Sequence, residues 1–539
     1  MFGQGIRHRQ LALATVCLAA LIINVDNTIL NVALPTLVRD LQATSSQLQW
    51  IVDSYAIVFA GLLLVGGTLA DRFGRKRFFL IGLTVFAVGS IGAALSGSVT
   101  TLIAFRALMG AGAALTIPTS LAIINDIFRD PGERARAIGV WAGTIGLGIA
   151  IGPIAGGLLL SRFWWGSIFF VNVPIACIGF FGAALVVPDS KNPEVQRPDP
   201  FGAALSIAGL GLLLWAIIEG PTRGWSSGTV LGAGAASFLV LGGFVVWESR
   251  STHPMLKLEF FRQRRFSVAL AGECLAVFGL MGALFLSTQF LQFDLGYSPL
   301  QAGVRILPIA GMLVVGAAVS PVAGRLVGIK LTVSAGLVSI AAGLWQVSAS
   351  SRLDTTYGDV VLGLLLIGFG AGVMLPTATN SVIGSVPQGD AGMGSASNTV
   401  ALQVGGALGV AAIGSVMLTR YQAQMTSVLV DRHVPHSVTQ TILGSLGGAL
   451  AVAARTGGST GLELAGAART AFMNGNGVAL AVGAIVSLAA ALLVLIALPS
   501  RALPPPPPSS EPDHRPGAGP PLCCAPAPTT AAAERGAND

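Results

Sequence analysis

A carboxylate or guanidinium inside a long apolar run requires a reason, and this chain carries four: Asp26, Asp53, Arg106 and Glu273. An ionised side chain near the centre of a bilayer costs at least ~2.5–3.5 kcal/mol on insertion scales, so its retention points to ion pairing, proton carriage or ligand binding. The histidines, at 8, 253, 433, 436 and 514, fall in segments that read as loops or tails. The expected proton carrier is therefore a carboxylate, and Asp26 is the first candidate. Burial opposes its charge and the Arg106 guanidinium supports it, so a helix shift that changes their separation moves a proton on or off. A static Asp26–Arg106 pair is the alternative. Asp53 is either a third member of that layer or a solvated residue at a span edge. Glu273 binds a cationic group, carries a second proton, or faces a wet vestibule. Asn27, Asn31, Phe278, Phe285, Gln289 and Phe290 are candidates to line a cavity. No spacing of Cys and His resembles a metal site, no nucleophile–base constellation is present, and the phosphate-binding G-x-x-x-x-G-K-[ST] loop is absent. The expectation is a protein that is not an enzyme and needs no cofactor.

The elements that must hold these residues are membrane spans. The chain is 53% apolar but only 10% charged, against about a quarter charged in an ordinary soluble protein. Its apolar residues come in blocks of about twenty, the length that crosses about 30 Å of hydrocarbon. Fourteen blocks are read, near 11–34, 50–70, 78–97, 101–122, 137–160, 168–187, 201–219, 229–247, 267–290, 305–324, 331–349, 359–383, 395–418 and 478–498. The first is followed directly by further spans and reads as a retained helix rather than a signal peptide. Counted inward from the outer end, Asp26 lies about 13 Å deep, Arg106 about 8 Å and Asp53 about 5 Å.

Orientation follows from Lys and Arg. With both termini inside, the short inner segments hold eighteen of them and the short outer loops only Arg39, Arg162, Arg223, Arg305 and Arg352. The net charge of +7 is thus an orientation signal in a lipid bilayer, and a nucleic-acid partner is not implied. Cys17, Cys177 and Cys274 lie within spans, and Cys523 and Cys524 in the tail. That tail, from Ser500 and including 504-PPPPP-508, has too little apolar content to bury and is expected to be disordered.

The chain also repeats. The stretches 110-GAGAALTIPTS-120 and 368-GFGAGVMLPTA-378 share G-x-G-x-x-x-x-x-P-T at an offset of 258 residues. That offset carries spans one to five onto nine to thirteen and leaves spans seven and eight between the halves. It pairs Asp26, Arg106 and Asp53 with the uncharged Leu284, Leu364 and Gly311. The expected organisation is a six-helix bundle over 1–187, two inserted helices and linkers over 188–266, a second bundle over 267–499 with an outer loop at 419–477, and the Pro-rich tail at 500–539. A short surface helix is read within that loop at 438–454.

The loop 67-GTLADRFGRKR-77 joins spans two and three. Orientation explains its Arg75, Lys76 and Arg77 but needs no acid. Asp71 and the ordered Gly67 and Gly74 suggest a charge relay and a tight turn. This loop is similar to the G-x-L-a-D-R-x-G-R-k-x loop of the major facilitator superfamily, and the six-two-six plan resembles its fourteen-helix drug:proton antiporter family. Residues 26-DNTILNVALP-35, 106-RALMGAGAALTIP-118, 148-GIAIGPIAGG-157, 165-WGSIFFVNVP-174 and 296-GYSPLQAGVRILP-308 resemble further motifs of that family, over spans one to thirteen. The second-half loop 323-AGRLVGIK-330 departs from the pattern: it lacks the acid and is shortened.

The resemblance implies an all-α membrane protein with the major facilitator fold, seated in the cell membrane with both termini cytoplasmic. It implies proton-coupled export of amphipathic, cationic or aromatic compounds by alternating access. Gly67, Asp71, Arg72, Gly74 and Arg75 would form a cytoplasmic gate, and Gly148, Gly152, Pro153, Gly156 and Gly157 an antiporter motif. A proton-coupled uptake symporter and a transport-inactive sensor or scaffold are the rival readings. The second would be expected to have discarded Asp26 and Arg106.

Overall fold

The computed structural model describes residues 2–191, 198–252, 254–387, 390–430 and 434–499; side chains are described from His8 onward, Ala391 excepted. The tail that reads as disordered lies outside the described residues, as do His253, His433, His514, Arg197, Cys523 and Cys524. Among the described residues, fourteen helices are long and apolar enough to cross a membrane. In order these spans are His8–Leu41, Ser45–Phe73, Arg75–Ala94, Val99–Ile127, Pro131–Arg162, Ser167–Val186, Pro200–Arg223, Gly228–Arg250, Arg264–Asp294, Pro299–Leu326, Ile329–Ala349, Tyr357–Ile383, Gly392–Leu429 and Gly458–Ala497. The molecule is an all-α, multi-pass membrane protein.

Capping residues fix the helix starts. Thr44 with Gln47, Ser98 with Thr101, and Ser298 with Gln301 form capping boxes at the heads of spans 2, 4 and 10, and Asp130 and Asp199 cap spans 5 and 7. Gly74 ends span 2 with φ 121°, a conformation that side-chain-bearing residues rarely adopt.

Small residues fix the packing between helices. A methyl group added at Gly110 would overlap the Tyr55 carbonyl oxygen, and one at Gly368 the Ile309 carbonyl oxygen. Spans 4 and 2, and 12 and 10, therefore touch backbone to backbone in equivalent ways. These contacts revise the register of the repeat. The offset of 258 holds for Gly110 and Gly368, but the turn glycines Gly74 and Gly328 are four residues closer. The same shift applies to spans 2 and 3, where Gly112 meets Phe86 and Gly370 meets Ile340. Span 1 follows from Gly152 on Val25 and Gly409 on Phe278. The partner of Asp53 is thus Leu307 rather than Gly311, and that of Asp26 is Gly279 rather than Leu284. Leu364 remains opposite Arg106, and none of these three charges has a charged counterpart in the second half.

Span 7 seats Leu214 and Ile218 with Ile57 of span 2 and Ala407 and Ala411 of span 13, and Ser46 Oγ donates to the Ile218 carbonyl at 3.3 Å. Span 8 packs on span 7, where Ser237 donates to the Gly209 carbonyl at 2.8 Å. The first inserted helix therefore contacts spans of both halves, while most of the second faces outward.

The described residues of the segment 419–477 are helical almost throughout and do not form a loop. Span 13 continues to Leu429 and span 14 begins at Gly458, with two short helices, His436–Gly444 and Leu446–Thr456, between them. Ile442, Leu446, Ala449 and Ala453 of this pair are buried, and Tyr421 Oη donates to the Ile442 carbonyl at 2.9 Å. The surface helix expected at 438–454 is thus this pair of helices, packed on the protein along a narrow apolar stripe that their Gly and Ala content hides. His8 is helical rather than in a tail, and is exposed.

Candidate functional site

Asp26, Arg106 and Asn172 meet in the middle of the first six spans. Arg106 Nη1 of span 4 lies 2.5 Å from Asp26 Oδ2 of span 1, with both residues at most 1% exposed. The second carboxylate oxygen accepts from Asn172 Nδ2 of span 6 at 2.7 Å, and that amide also reaches Ser90 Oγ of span 3 at 3.3 Å. Arg106 Nε donates to the Ile51 carbonyl of span 2 at 3.1 Å, and its guanidinium lies over the Tyr55 ring, 4.5 Å from the centroid. Five spans thus contribute to one buried charge pair. The pair is charge-balanced and both carboxylate oxygens are occupied, which makes its burial tolerable.

Asp53 stands apart from this cluster. It is fully buried, and among the described residues neither carboxylate oxygen has a hydrogen-bond partner. Its helical row contains Gln49 and Ile57, which pack on span 13 through Ser415 and through Ala407 and Ala411. Asp53 is therefore not solvated and not part of the Asp26 cluster; it lies on the side of span 2 that meets the other half. Glu273 likewise does not face a wet vestibule: it is 0% exposed and accepts a hydrogen bond from Thr379 of span 12.

The glycines of 148-GIAIGPIAGG-157 run along span 1 beside Asp26. Gly148 packs on Leu21 and Val25, Gly152 on Val25 and Thr28, and Gly156 on Ile29, while Thr28 Oγ1 donates to the Gly148 carbonyl at 3.2 Å. On the other side of span 5, Gly157 meets Leu300, and Gly303 of span 10 meets the Pro153 carbonyl. Span 5 is thus a joint between the helix that carries Asp26 and a helix of the second half.

At the end of the bundle that bears Arg39 the halves are sealed. Beyond the Gly157 and Gly303 contacts, Gln292 Nε2 donates to the Val32 carbonyl at 2.8 Å, Ser415 Oγ bonds Gln49 Oε1 at 3.4 Å, and Gly447 packs on Val38 and Phe293. At the opposite end a cavity of about 520 Å³ opens between spans 2 and 4 on one side and the start of span 13 on the other. Gly67, Thr68, Asp71, Arg75, Trp141 and Asp390 are among its lining residues. Arg75 Nε bonds Asp71 Oδ1 at 2.6 Å, Arg75 Nη1 lies 3.9 Å from Asp126 of span 4, and Lys76 Nζ donates to the Ala184 carbonyl at 2.7 Å. The Asp71 loop is therefore bonded within the first half. Across the mouth, Lys257 bonds Asp390 at 2.7 Å.

The tentative lining residues Asn27, Asn31, Glu273, Phe278, Phe285, Gln289 and Phe290 are not among those that line this cavity. Phe278, Phe285, Gln289 and Phe290 are buried, and Gln289 Nε2 and Asn31 Nδ2 bond back to their own helices. The residues that sequence reasoning missed are Asn172, Tyr55 and Thr379, which touch the charged groups, and Ser90 behind Asn172. Neutral polar residues in spans are common, and only the fold shows which of them touch a charge.

The sequence model of the Major Facilitator Superfamily matches residues 16–410. The tetracenomycin C resistance and export protein of Streptomyces glaucescens is 32% identical over 499 residues, covering 92% of each chain. The multidrug efflux pump LfrA of Mycolicibacterium smegmatis is 35% identical over 488 residues, 90% of this chain and 95% of that protein. Among solved structures, a bacterial homolog of the human lysosomal transporter Spinster, in an inward-facing and occupied conformation, superimposes with a TM-score of 0.64. It is 16% identical and covers 91% of this chain and 97% of its own, so it supports the fold alone. Matched along most of its length and built on fourteen spans, the chain belongs to the Major Facilitator Superfamily, among relatives that are drug and antibiotic resistance exporters.

Proposed function

We propose that this protein is a proton-coupled exporter of amphipathic, cationic or aromatic compounds, working by alternating access in the cell membrane. The observation that carries the reading is the buried Asp26–Arg106–Asn172 cluster beside a glycine-lined joint to the other half. A proton that lands on Asp26 neutralises it and weakens its hold on Arg106. The strength of that hold then bears on how span 1 sits against span 5, and through span 5 on the seal at Pro153 and Gly157. The excess of Lys and Arg at the Asp71 end supports a reading in which that end, and both termini with it, face the cytoplasm. In this reading the structure is open inward, and the Asp71 loop is free to engage the second half when the inner mouth closes. The names of the resistance and export relatives support export over uptake.

The test uses inside-out membrane vesicles and a fluorescent lipophilic cation. Uptake that requires an imposed proton gradient, acid inside, and collapses with a protonophore supports the reading. Uptake driven only by a gradient of the opposite sense would favour the symporter.

A further inference from the structure

The second half contains a buried acid that the proton cycle above does not use. Glu273 of span 9 is 0% exposed, and among the described residues no cation pairs with it. Thr379 Oγ1 of span 12 donates to Glu273 Oε1 and receives Asn398 Nδ2 of span 13 at 3.4 Å. One oxygen on each side of this chain is left over. Glu273 Oε2 and Asn398 Oδ1 are both buried without a donor. Burying two such acceptors is costly unless a ligand supplies the missing donors at another stage of the cycle. Asn398 is one residue from Thr399, which lines the inner cavity together with Ser395 and Ala396 of the same helix. The charged group nearest along span 9, Arg265, is turned to Ser381 at 3.1 Å.

We infer that Glu273, Thr379 and Asn398 form the subsite for the ammonium group of an amine-bearing amphipathic substrate that enters from the inner cavity. The match is one of donors and charge. A primary ammonium brings one positive charge and three N–H donors, and the cluster offers one carboxylate and two neutral oxygens. The inference rests on the exporter reading and names its substrate class.

The experiment compares daunorubicin, which carries a free sugar amine, with N-acetyldaunorubicin, which keeps the rings and lacks the charge. Binding to purified protein in lipid nanodiscs is followed by ligand fluorescence. The wild type is expected to prefer the amine by about tenfold or more, the effect of a charge-assisted hydrogen bond. Glu273→Gln should reduce the preference to near one, by losing more affinity for the amine than for the N-acetyl compound, and Asn398→Ala should lower the preference in part. An unchanged preference in Glu273→Gln, equal loss of both ligands in Glu273→Gln and Glu273→Asp, or no amine preference in the wild type would each overturn the subsite. The exporter reading fails separately, if vesicles show no gradient-driven transport.

Discussion

The seam between spans 5 and 10 offers a quantitative perturbation. Gly157 is so close to span 10 that an added Cβ would lie 2.5 Å from Leu300 Cα and 2.9 Å from the Pro299 carbonyl oxygen. At Gly303 an added Cβ would overlap the Pro153 carbonyl oxygen. These are backbone atoms that no rotamer change can move, so Gly157→Ala or Gly303→Ala must push the helices apart. Overpacking of this kind costs about 1–3 kcal/mol at each site. The penalty falls on the sealed conformation alone, because the contact is absent once the outer side opens. Each substitution should then shift the population toward the outward-open form by about 5- to 150-fold, and the pair by more. The readout is a reporter at Val38→Cys, a position now buried under Gly447, in a background without the native cysteines. Labelling of intact cells by a membrane-impermeant maleimide should rise with each alanine. If labelling stays at the starting level with both alanines present, this seam is not the outer seal.

Three further outcomes follow from named contacts. Asn172→Ala removes the donor on Asp26 Oδ1 and should slow gradient-driven transport about tenfold, the worth of one hydrogen bond to a charged group, with membrane expression unchanged. Arg75→Ala frees Asp71 and Asp126 at the inner mouth and should lower the transport rate, whereas Arg77→Ala, which changes the same net charge, should not. Tyr421→Phe deletes the hydroxyl that holds the Ile442 carbonyl and should cost about 1 kcal/mol, read as faster proteolysis of the 436–456 helices from outside.

Much of this was legible in the sequence, for reasons that differ by feature. Spans read well because a bilayer forces about twenty apolar residues in a row, and all fourteen were located. Their ends read less well, since polar extensions such as 419–429 and 458–477 remain helical beyond the apolar core. Asp26 and Arg106 could be paired from depth alone because intramembrane charges are few. Asp53 could not be placed the same way: depth gives the layer of a residue and not the side of the helix it occupies. The repeat was visible at Gly110 and Gly368, but one offset could not register every span, because four residues separate the spacing of those glycines from that of Gly74 and Gly328. Asn172 was within a stretch recognised for its resemblance, yet its bond to Asp26 depends on how span 6 rotates against span 1, which no local pattern encodes.

The most direct measurement of the central claim compares two assays on Asp26→Asn in the same vesicles. One is accumulation of the lipophilic cation against its gradient under an imposed proton gradient; the other is exchange of labelled for unlabelled cation with no gradient. If Asp26 is the coupling carboxylate, accumulation falls to the equilibrium level while exchange continues. Accumulation at the wild-type ratio in Asp26→Asn would contradict the account and reduce Asp26 and Arg106 to a static pair.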